Sequence, residues 1–136
     1  MNIQPGNGLY LKLPHFADGG GGYKRPFLVV NIEKSKRRIF LLNISSVNGK
    51  EHKLIRDSNE LLLQYNPPFR VPSFVKLDAL YILDYFDDLS QLVFRSGLLD
   101  SGELIRIQDK LKIFSQNNEV TIVNFNEESI RQVNYI

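Results

Sequence analysis

The 136-residue chain contains no cysteine and no tryptophan, and only two histidines. The lack of cysteine excludes a disulfide framework, a thiol nucleophile and any thiolate metal site. His15 and His52 lie far apart in the sequence, and neither has a companion at metal-ligand spacing, so we expect no bound metal and no other cofactor. The apolar runs are far shorter than the roughly 20 residues that span a bilayer, and no basic region followed by an apolar leader is visible at the N-terminus. We therefore expect a cytosolic protein that does not engage membranes.

The net charge of +2 conceals a strong asymmetry along the chain. Residues 24–56 hold nine Lys and Arg against two Glu, a local charge of +7, whereas residues 57–136 hold seven basic and twelve acidic residues, a local charge of −5. A clustered positive field attracts polyanions such as nucleic acid. The alternative is a solvated basic hairpin, and charge alone does not decide between the two.

The length suits one domain, residues 1–136, because a chain of this size buries enough surface for a core of its own. Short apolar runs bounded by turn residues predict strands at 8–13, 27–32, 38–44, 74–77, 80–83, 92–95 and 120–125. Asn48-Gly49 predicts a tight hairpin turn that leads into 51–56, and Leu61-Leu62-Leu63 is compatible with a short helix. Short sequential strands of this kind favour a mainly β fold closed as a small, strongly bent barrel.

One helix is predicted near the C-terminus, over residues 101–115. Asp100 is a candidate N-cap, and Glu103 completes a capping-box pattern. The apolar residues recur at spacings of three and four, which predicts a stripe that docks on a sheet or on another subunit; its members are Leu104, Ile107, Leu111 and Phe114, widened by Ile105 and Ile113. A short helical turn is possible after the last strand.

A run of four glycines, residues 19–22, invites comparison with a phosphate-binding loop. The comparison fails because Tyr23 separates Gly22 from Lys24 and a strand follows, where a P-loop opens a helix. A flexible loop over a binding groove fits the run better, with plain flexible linkage as the alternative. No Gly-x-Ser-x-Gly motif of a serine hydrolase occurs.

A guanidinium and a hydroxyl are predicted to meet beside this loop. If strands 27–32 and 38–44 form a hairpin, Arg25 before the first strand lies near Ser45 and Ser46 at the end of the second. Together they form a minimal anion site, because guanidinium binds phosphate bidentately and a hydroxyl adds one further hydrogen bond. A structural arginine and a serine-capped turn are the alternative interpretation.

Three blocks in order resemble the MazF/PemK toxins of type II toxin–antitoxin systems over residues 8–114. The first is Lys24-Arg25-Pro26-Phe27-Leu28-Val29-Val30, similar to an Arg-Pro followed by an aliphatic strand. The second is Leu41-Leu42-Asn43-Ile44-Ser45-Ser46, similar to an apolar strand that ends in a Thr/Ser pair. The third is Ser73-Phe74-Val75-Lys76-Leu77-Asp78-Ala79-Leu80-Tyr81-Ile82-Leu83-Asp84, similar to Ser, an apolar and an acidic residue, then an aliphatic strand ending in Asp.

The resemblance implies an SH3-like barrel of the MazF, PemK and CcdB type with a C-terminal helix, which dimerises and cleaves single-stranded RNA without metal. It implies that Arg25 and Ser45 are catalytic, with Ser46 as the adjacent alternative, and that a cognate antitoxin neutralises the enzyme. Residues of the same loop, Lys24, Tyr23, Gly20 and His15, are predicted to contact the substrate. Residues 115–136 form an extension beyond the resemblance.

The sequence departs from the family pattern at three positions. Many relatives carry an acidic residue five positions before the arginine, where this chain has Gly20, and His15 could replace it as an acid–base group. Ala79 and Tyr81 stand where the family usually has Gln and Arg, so base recognition or dimer contacts could differ. The alternative function is a non-catalytic binder of nucleic acid or protein on the same barrel, including a topoisomerase-targeting toxin.

Overall fold

The computed structural model describes all 136 residues and consists of seven strands and two α-helices, joined by loops and three 3₁₀ turns. The strands are β1 (Gly8–Leu11), β2 (Arg25–Glu33), β3 (Arg38–Ser46), β4 (Asn59–Leu61), β5 (Ser73–Lys76), β6 (Ala79–Asp84) and β7 (Thr121–Phe125). The helices are α1 (Ser101–Asn117) and α2 (Glu127–Asn134), and the 3₁₀ turns cover Lys34–Lys36, Glu51–Ile55 and Asp87–Leu92. No helix combines the length and the apolar character needed to cross a membrane.

The long strand β3 organises a mainly antiparallel sheet. Residues 38–43 of β3 pair with β2, residues 38–41 also pair with β6 on the other side, and residues 44–46 pair with β5. The sheet order is β1-β2-β3-β5-β4, and β7 joins parallel to β6. The strand pairing leaves the sheet open, because β4 and β7 each have a single partner and β1 adds to β2 only the isolated bridge between Leu9 and Val93. The architecture is thus a small β-rich sheet with a C-terminal helix.

Strands β2 and β3 are continuous apolar runs because both of their faces are buried. Side chains alternate between the faces of a strand, and along β2 they alternate between two hydrophobic clusters, with Phe27 and Val29 in one and Leu28 and Val30 in the other. A register shift between Val29 and Asn31 marks a bulge near the middle of the hairpin. The hairpin is therefore a rigid, doubly covered scaffold, and its open end carries the candidate site.

Helix α1 begins as predicted but buries a narrower stripe. The Asp100 carboxylate accepts the Glu103 backbone N–H at 3.1 Å, which confirms the N-cap. Leu104, Leu111 and Phe114 pack against the cluster that contains the buried Ile107. The other two predicted members lie outside the stripe, since Ile105 is 57% exposed and Ile113 is 55% exposed.

The capping box is only half formed, because the side chain of Glu103 bonds elsewhere. Its carboxylate accepts the backbone N–H groups of Leu63 and Gln64 at 2.6 and 3.1 Å and pairs with Arg106 at 2.6 Å. The Arg106 hydrogen bond holds the pKa of Glu103 below its ordinary value, although burial opposes this. Glu103 thus fastens α1 to the loop after β4.

Three local predictions differ from the structure. The turn at Asn48-Gly49 forms, with Gly49 at φ 75°, but residues 51–55 then make a 3₁₀ turn because their apolar residues, Leu54 and Ile55, are adjacent and do not alternate with polar ones as a half-buried strand requires. Residues 59–61 form strand β4 on the edge of β5 instead of a helix. The predicted strand at 92–95 is reduced to the single bridge of Val93.

Candidate anion-binding groove

The open end of the β2–β3 hairpin brings Arg25 and Ser45 to one cavity. The register pairs Phe27 with Asn43, so Arg25 lies two residues before this pair and Ser45 two residues after it. The buried Asn43 donates its side-chain N–H to the Pro26 carbonyl at 3.0 Å, which fixes the start of β2 against β3. The cavity measures about 380 Å³, and its lining includes Arg25, Ser45 and Ser46 as well as the predicted Tyr23 and Lys24.

Arg25 is held in a cage of aromatic rings and a carboxylate. Its guanidinium lies 3.7 Å from the centroid of the Phe16 ring and 4.9 Å from that of Tyr23. Nη1 donates to Asp18 Oδ2 at 2.9 Å and Nη2 to the Tyr23 hydroxyl at 2.6 Å, and the side chain is only 11% exposed. Burial disfavours the charge, but the bonds to Asp18 and Tyr23 outweigh it and raise the pKa of Arg25. The guanidinium is thus a preoriented, permanently charged donor with little water around it.

Asp18, two residues before Gly20, supplies the carboxylate beside Arg25. The loop folds back through hydrogen bonds from Gly19 N to the Phe16 carbonyl and from Phe16 N to the Gly20 carbonyl, both of 3.0 Å. Asp18 Oδ1 accepts the Gly20 N–H at 2.9 Å, which aims the carboxylate at Arg25. The Arg25 hydrogen bond lowers the pKa of Asp18, so this carboxyl stays ionised at neutral pH.

Gly20 lies directly against the Arg25 guanidinium. A Cβ placed on Gly20 would collide with Nη2 of Arg25 and approach Asp18 Oδ1 to 3.1 Å. Any side chain at position 20, acidic or not, would therefore displace the guanidinium in this conformation.

The two serines of the cavity have different partners. Ser45 is 8% exposed, and its hydroxyl accepts a hydrogen bond from Lys50 Nζ at 3.0 Å, so its own O–H remains available as a donor. The Ser46 hydroxyl accepts the Asn48 backbone N–H at 3.2 Å, which ties it to the following turn. Lys50 reaches Ser45 because that turn carries the chain back over the end of β3. Ser45 therefore has the more polarised hydroxyl of the two.

Lys76 at the end of β5 faces the same carboxylate from the other side. Its Nζ lies 3.9 Å from Asp18 Oδ2, and its side chain is 28% exposed. Burial lowers the pKa of Lys76; Asp18 opposes this shift, while Arg25, Lys53 and Lys50 strengthen it. The ammonium is therefore a half-buried cation surrounded mainly by other cations.

A second cavity of about 270 Å³ adjoins the first and shares Asp18, Asn43, Lys53 and Lys76 with it. The two cavities together are called the basic groove. Six cations line it, against the two acids Asp18 and Asp78; the cations are Lys24, Arg25, Lys50, Lys53, Arg56 and Lys76. The groove can therefore accept an extended polyanion longer than a single phosphate.

The remaining predicted contact, His15, lies apart from the groove lining. Its ring packs edge-on against Phe125 of β7, with the centroids 5.0 Å apart. Position 15 precedes Arg25 in the same loop region, but His15 lines neither cavity of the basic groove. The structure thus places Asp18, and not His15, beside the guanidinium.

Sequence reasoning missed Asp18, Lys50 and Lys76. The spacing of Asp18 and Arg25 within one Gly-rich loop was a usable signal, since an aspartate before a glycine run readily bonds its own backbone. Lys76 gave no such signal, because its place depends on β5 pairing with the far half of β3. No protein-family model matches the sequence and no curated protein matches it.

Proposed function

We propose that this chain is a MazF/PemK-like toxin on an SH3-like barrel, an endoribonuclease that cleaves single-stranded RNA without a metal and is neutralised by a cognate antitoxin. The observation that carries the proposal is Arg25, a desolvated guanidinium that shares one cavity with the polarised hydroxyl of Ser45. The positive charge of the basic groove around them complements the negative charge of an RNA backbone. The resemblance of the three sequence blocks supports the same activity and a homodimer.

The groups of the groove match the chemistry of attack by a ribose 2′-hydroxyl on its own phosphate. The O2′–P bond forms and the P–O5′ bond breaks, which leaves a 2′,3′-cyclic phosphate and a 5′-hydroxyl. Asp18, ionised and free of protons, accepts the 2′-hydroxyl proton, and Arg25 stabilises the charge that develops on the phosphoryl oxygens. Ser45 gives its proton to O5′ and takes one from Lys50, its hydrogen-bond partner.

Arg25 keeps donors for a ligand while it stays bonded to the protein. Its Nη1 and Nη2 donate to Asp18 and Tyr23, whereas Nε–H and the second N–H of Nη1 have no protein partner and are left for a phosphate. This observation favours one other function, binding of RNA in the groove without cleavage, in which Arg25 stays locked to Asp18. Binding and cleavage are therefore measured separately.

The test is incubation of the full chain with a long single-stranded RNA in the presence of a chelator. We expect discrete fragments with 5′-hydroxyl ends from the wild type, and loss of rate on the order of 10²–10³ in Arg25→Ala, because one oriented donor to the transition state is removed. Lys36→Ala, in the hairpin turn outside the groove, is the matched control and keeps the activity. A 2′-deoxy substitution at the cleaved nucleotide should block the cut.

Ser45→Ala and Ser46→Ala extend the same assay. Only Ser45→Ala should slow cleavage strongly, since Ser46 is tied to the turn backbone. RNA bound but uncut at every protein concentration would establish the binder and exclude the enzyme. Equal activity in both serine variants would show that the Ser45 hydroxyl is not the proton donor.

A further inference from the structure

An aromatic pocket lies beside the basic groove, on the other side of Ser46. It measures about 220 Å³ and is called the side pocket; its walls include Tyr10, Pro26, Ile44, Ser46, Phe69 and Phe94. The rings of Tyr10 and Phe94 stack with centroids 6.0 Å apart, and Phe94 meets Phe69 edge-on at 5.8 Å. Gly8 permits this packing, since a Cβ there would come within 2.5 Å of the Phe94 ring. The wall of the pocket is thus a preformed aromatic surface.

The side pocket is continuous with the groove. Pro26, Ile44 and Ser46 line both, and Pro26 directly follows Arg25 and pairs with Tyr10 across the β1–β2 ladder. Lys24 Nζ lies 5.8 Å from the centroid of the Tyr10 ring and also lines the groove. Because Arg25 and Pro26 project from opposite faces of β2, a nucleic acid with a phosphate at Arg25 passes Lys24 at the end of the hairpin to place a neighbouring base at the pocket.

The size and lining of the pocket select one class of ligand. Sites for drug-sized molecules measure about 300–1,000 Å³, so this smaller pocket suits one flat ring system. Its walls are aromatic and aliphatic, with the polar side chains of Ser46 and Arg70 available at the edge of a ring. An unstacked nucleobase has this shape and gains from stacking on aromatic side chains.

We propose that the side pocket binds one nucleobase adjacent to the phosphate held at Arg25. This subsite rests on the proposed function, because it takes its ligand from the nucleic acid in the basic groove. Binding of a base in the side pocket makes the protein bind a nucleic acid that carries bases more tightly than a bare sugar-phosphate backbone. It also fixes which phosphate of the strand lies beside Ser45.

The experiment compares the affinity of the full chain for two uncleavable probes. One is a 2′-deoxy oligonucleotide with all its bases, and the other is an abasic oligonucleotide of the same length. Stacking of a base on an aromatic side chain contributes about 1–3 kcal/mol, or about 5- to 150-fold in affinity. We expect the wild type to bind the base-containing probe more tightly than the abasic probe. Tyr10→Ala should lose most of this preference, and Tyr10→Phe should keep it.

Unchanged affinity of Tyr10→Ala for the abasic probe shows that the groove is still folded. Val71→Met gives a second route, because Val71 is a pocket wall residue 51% exposed and a longer apolar side chain covers the pocket without adding charge; it too should lose the preference. Tyr135→Ala, at an 89% exposed tyrosine, is the control and should keep it.

The outcomes separate the subsite from the function. A wild type that binds neither probe overturns the proposed function and the subsite together. A wild type that binds both probes equally, or a preference that survives both Tyr10→Ala and Val71→Met, overturns the subsite alone.

Discussion

The two ends of the β2–β3 hairpin carry similar positive charge, but their cations differ in exposure and in the groups that surround them. At the turn end, Lys34 and Lys36 are exposed side chains of a 3₁₀ turn, and Arg38 pairs with its cross-strand neighbour Glu33 at 2.6 Å. At the open end, Arg25 is 11% exposed, caged by rings and a carboxylate, and shares its cavity with Ser45. The cations of the open end line the basic groove, and those of the turn end lie outside it.

A count of charges along the sequence does not define a binding site. The +7 segment that the sequence shows divides between the two ends, with five of its cations lining the basic groove and four at the turn. Water screens the exposed cations, whereas a desolvated charge beside a fixed hydroxyl acts at full strength on a ligand.

Gly20→Ala should displace Arg25 at the open end of the hairpin without unfolding the protein. The new Cβ collides with the Arg25 guanidinium, which can move because it is the far end of a flexible side chain. We expect little change in thermal stability and a loss of RNA cleavage on the order of 10²–10³, similar to that of Arg25→Ala. The measurement is a cleavage rate beside a thermal melt.

Gly21→Ala is the matched control for this prediction. A Cβ on Gly21 meets only the Pro14 carbonyl, at 3.9 Å, and its φ lies outside the left-handed region. It should therefore retain near-wild-type activity. If both alanine variants cleave RNA equally well, the geometry of the Arg25 cage does not control the reaction.

The open end was predictable from the sequence only as far as local pairing reaches. Adjacent strands joined by a short turn pair readily, so the approach of Arg25 and Ser45 follows from the order of residues alone. The N-cap Asp100 and strand β7 were predictable on the same local grounds. Asp18 depends on a specific loop conformation that glycine allows but does not dictate.

The long-range parts of the site lay beyond sequence reasoning. Lys76 joins the groove because β3 changes partner from β6 to β5 along its length, which no local pattern records. Glu103 carried a capping-box pattern, but its carboxylate bonds the backbone of Leu63 and Gln64 instead. In both cases tertiary contacts decide among options that the local sequence leaves open.

Titration of Lys76 should change the stability of the protein and its affinity for nucleic acid in opposite directions as the pH rises. Burial holds its pKa below the ordinary 10.5, so between the lowered value and 10.5 the unfolded chain binds more protons than the folded one. Unfolding free energy therefore rises with pH through this window. Affinity for an uncleavable 2′-deoxy oligonucleotide falls through the same window, by about tenfold for a lost charged contact to phosphate.

Lys76→Met should remove both trends, whereas Lys36→Met at the turn end should leave both in place. The measurements are denaturant melts and binding titrations across an alkaline pH series. Oligonucleotide affinity that stays level through the window would place Lys76 outside the phosphate contacts, even if the stability trend is present.

The weakest effect concerns the rim of the basic groove and is read from salt dependence. Each phosphate contact on a single strand contributes about 0.7 to the slope of log affinity against log salt. Arg56→Gln removes an exposed cation of the groove and should reduce that slope by about this amount. Lys34→Gln, which removes the same charge from the turn end, should leave the slope unchanged, because Lys34 is an exposed residue outside the basic groove. Equal reductions in the two variants would mean that the nucleic acid follows the whole hairpin, and that the two ends differ in catalysis but not in binding.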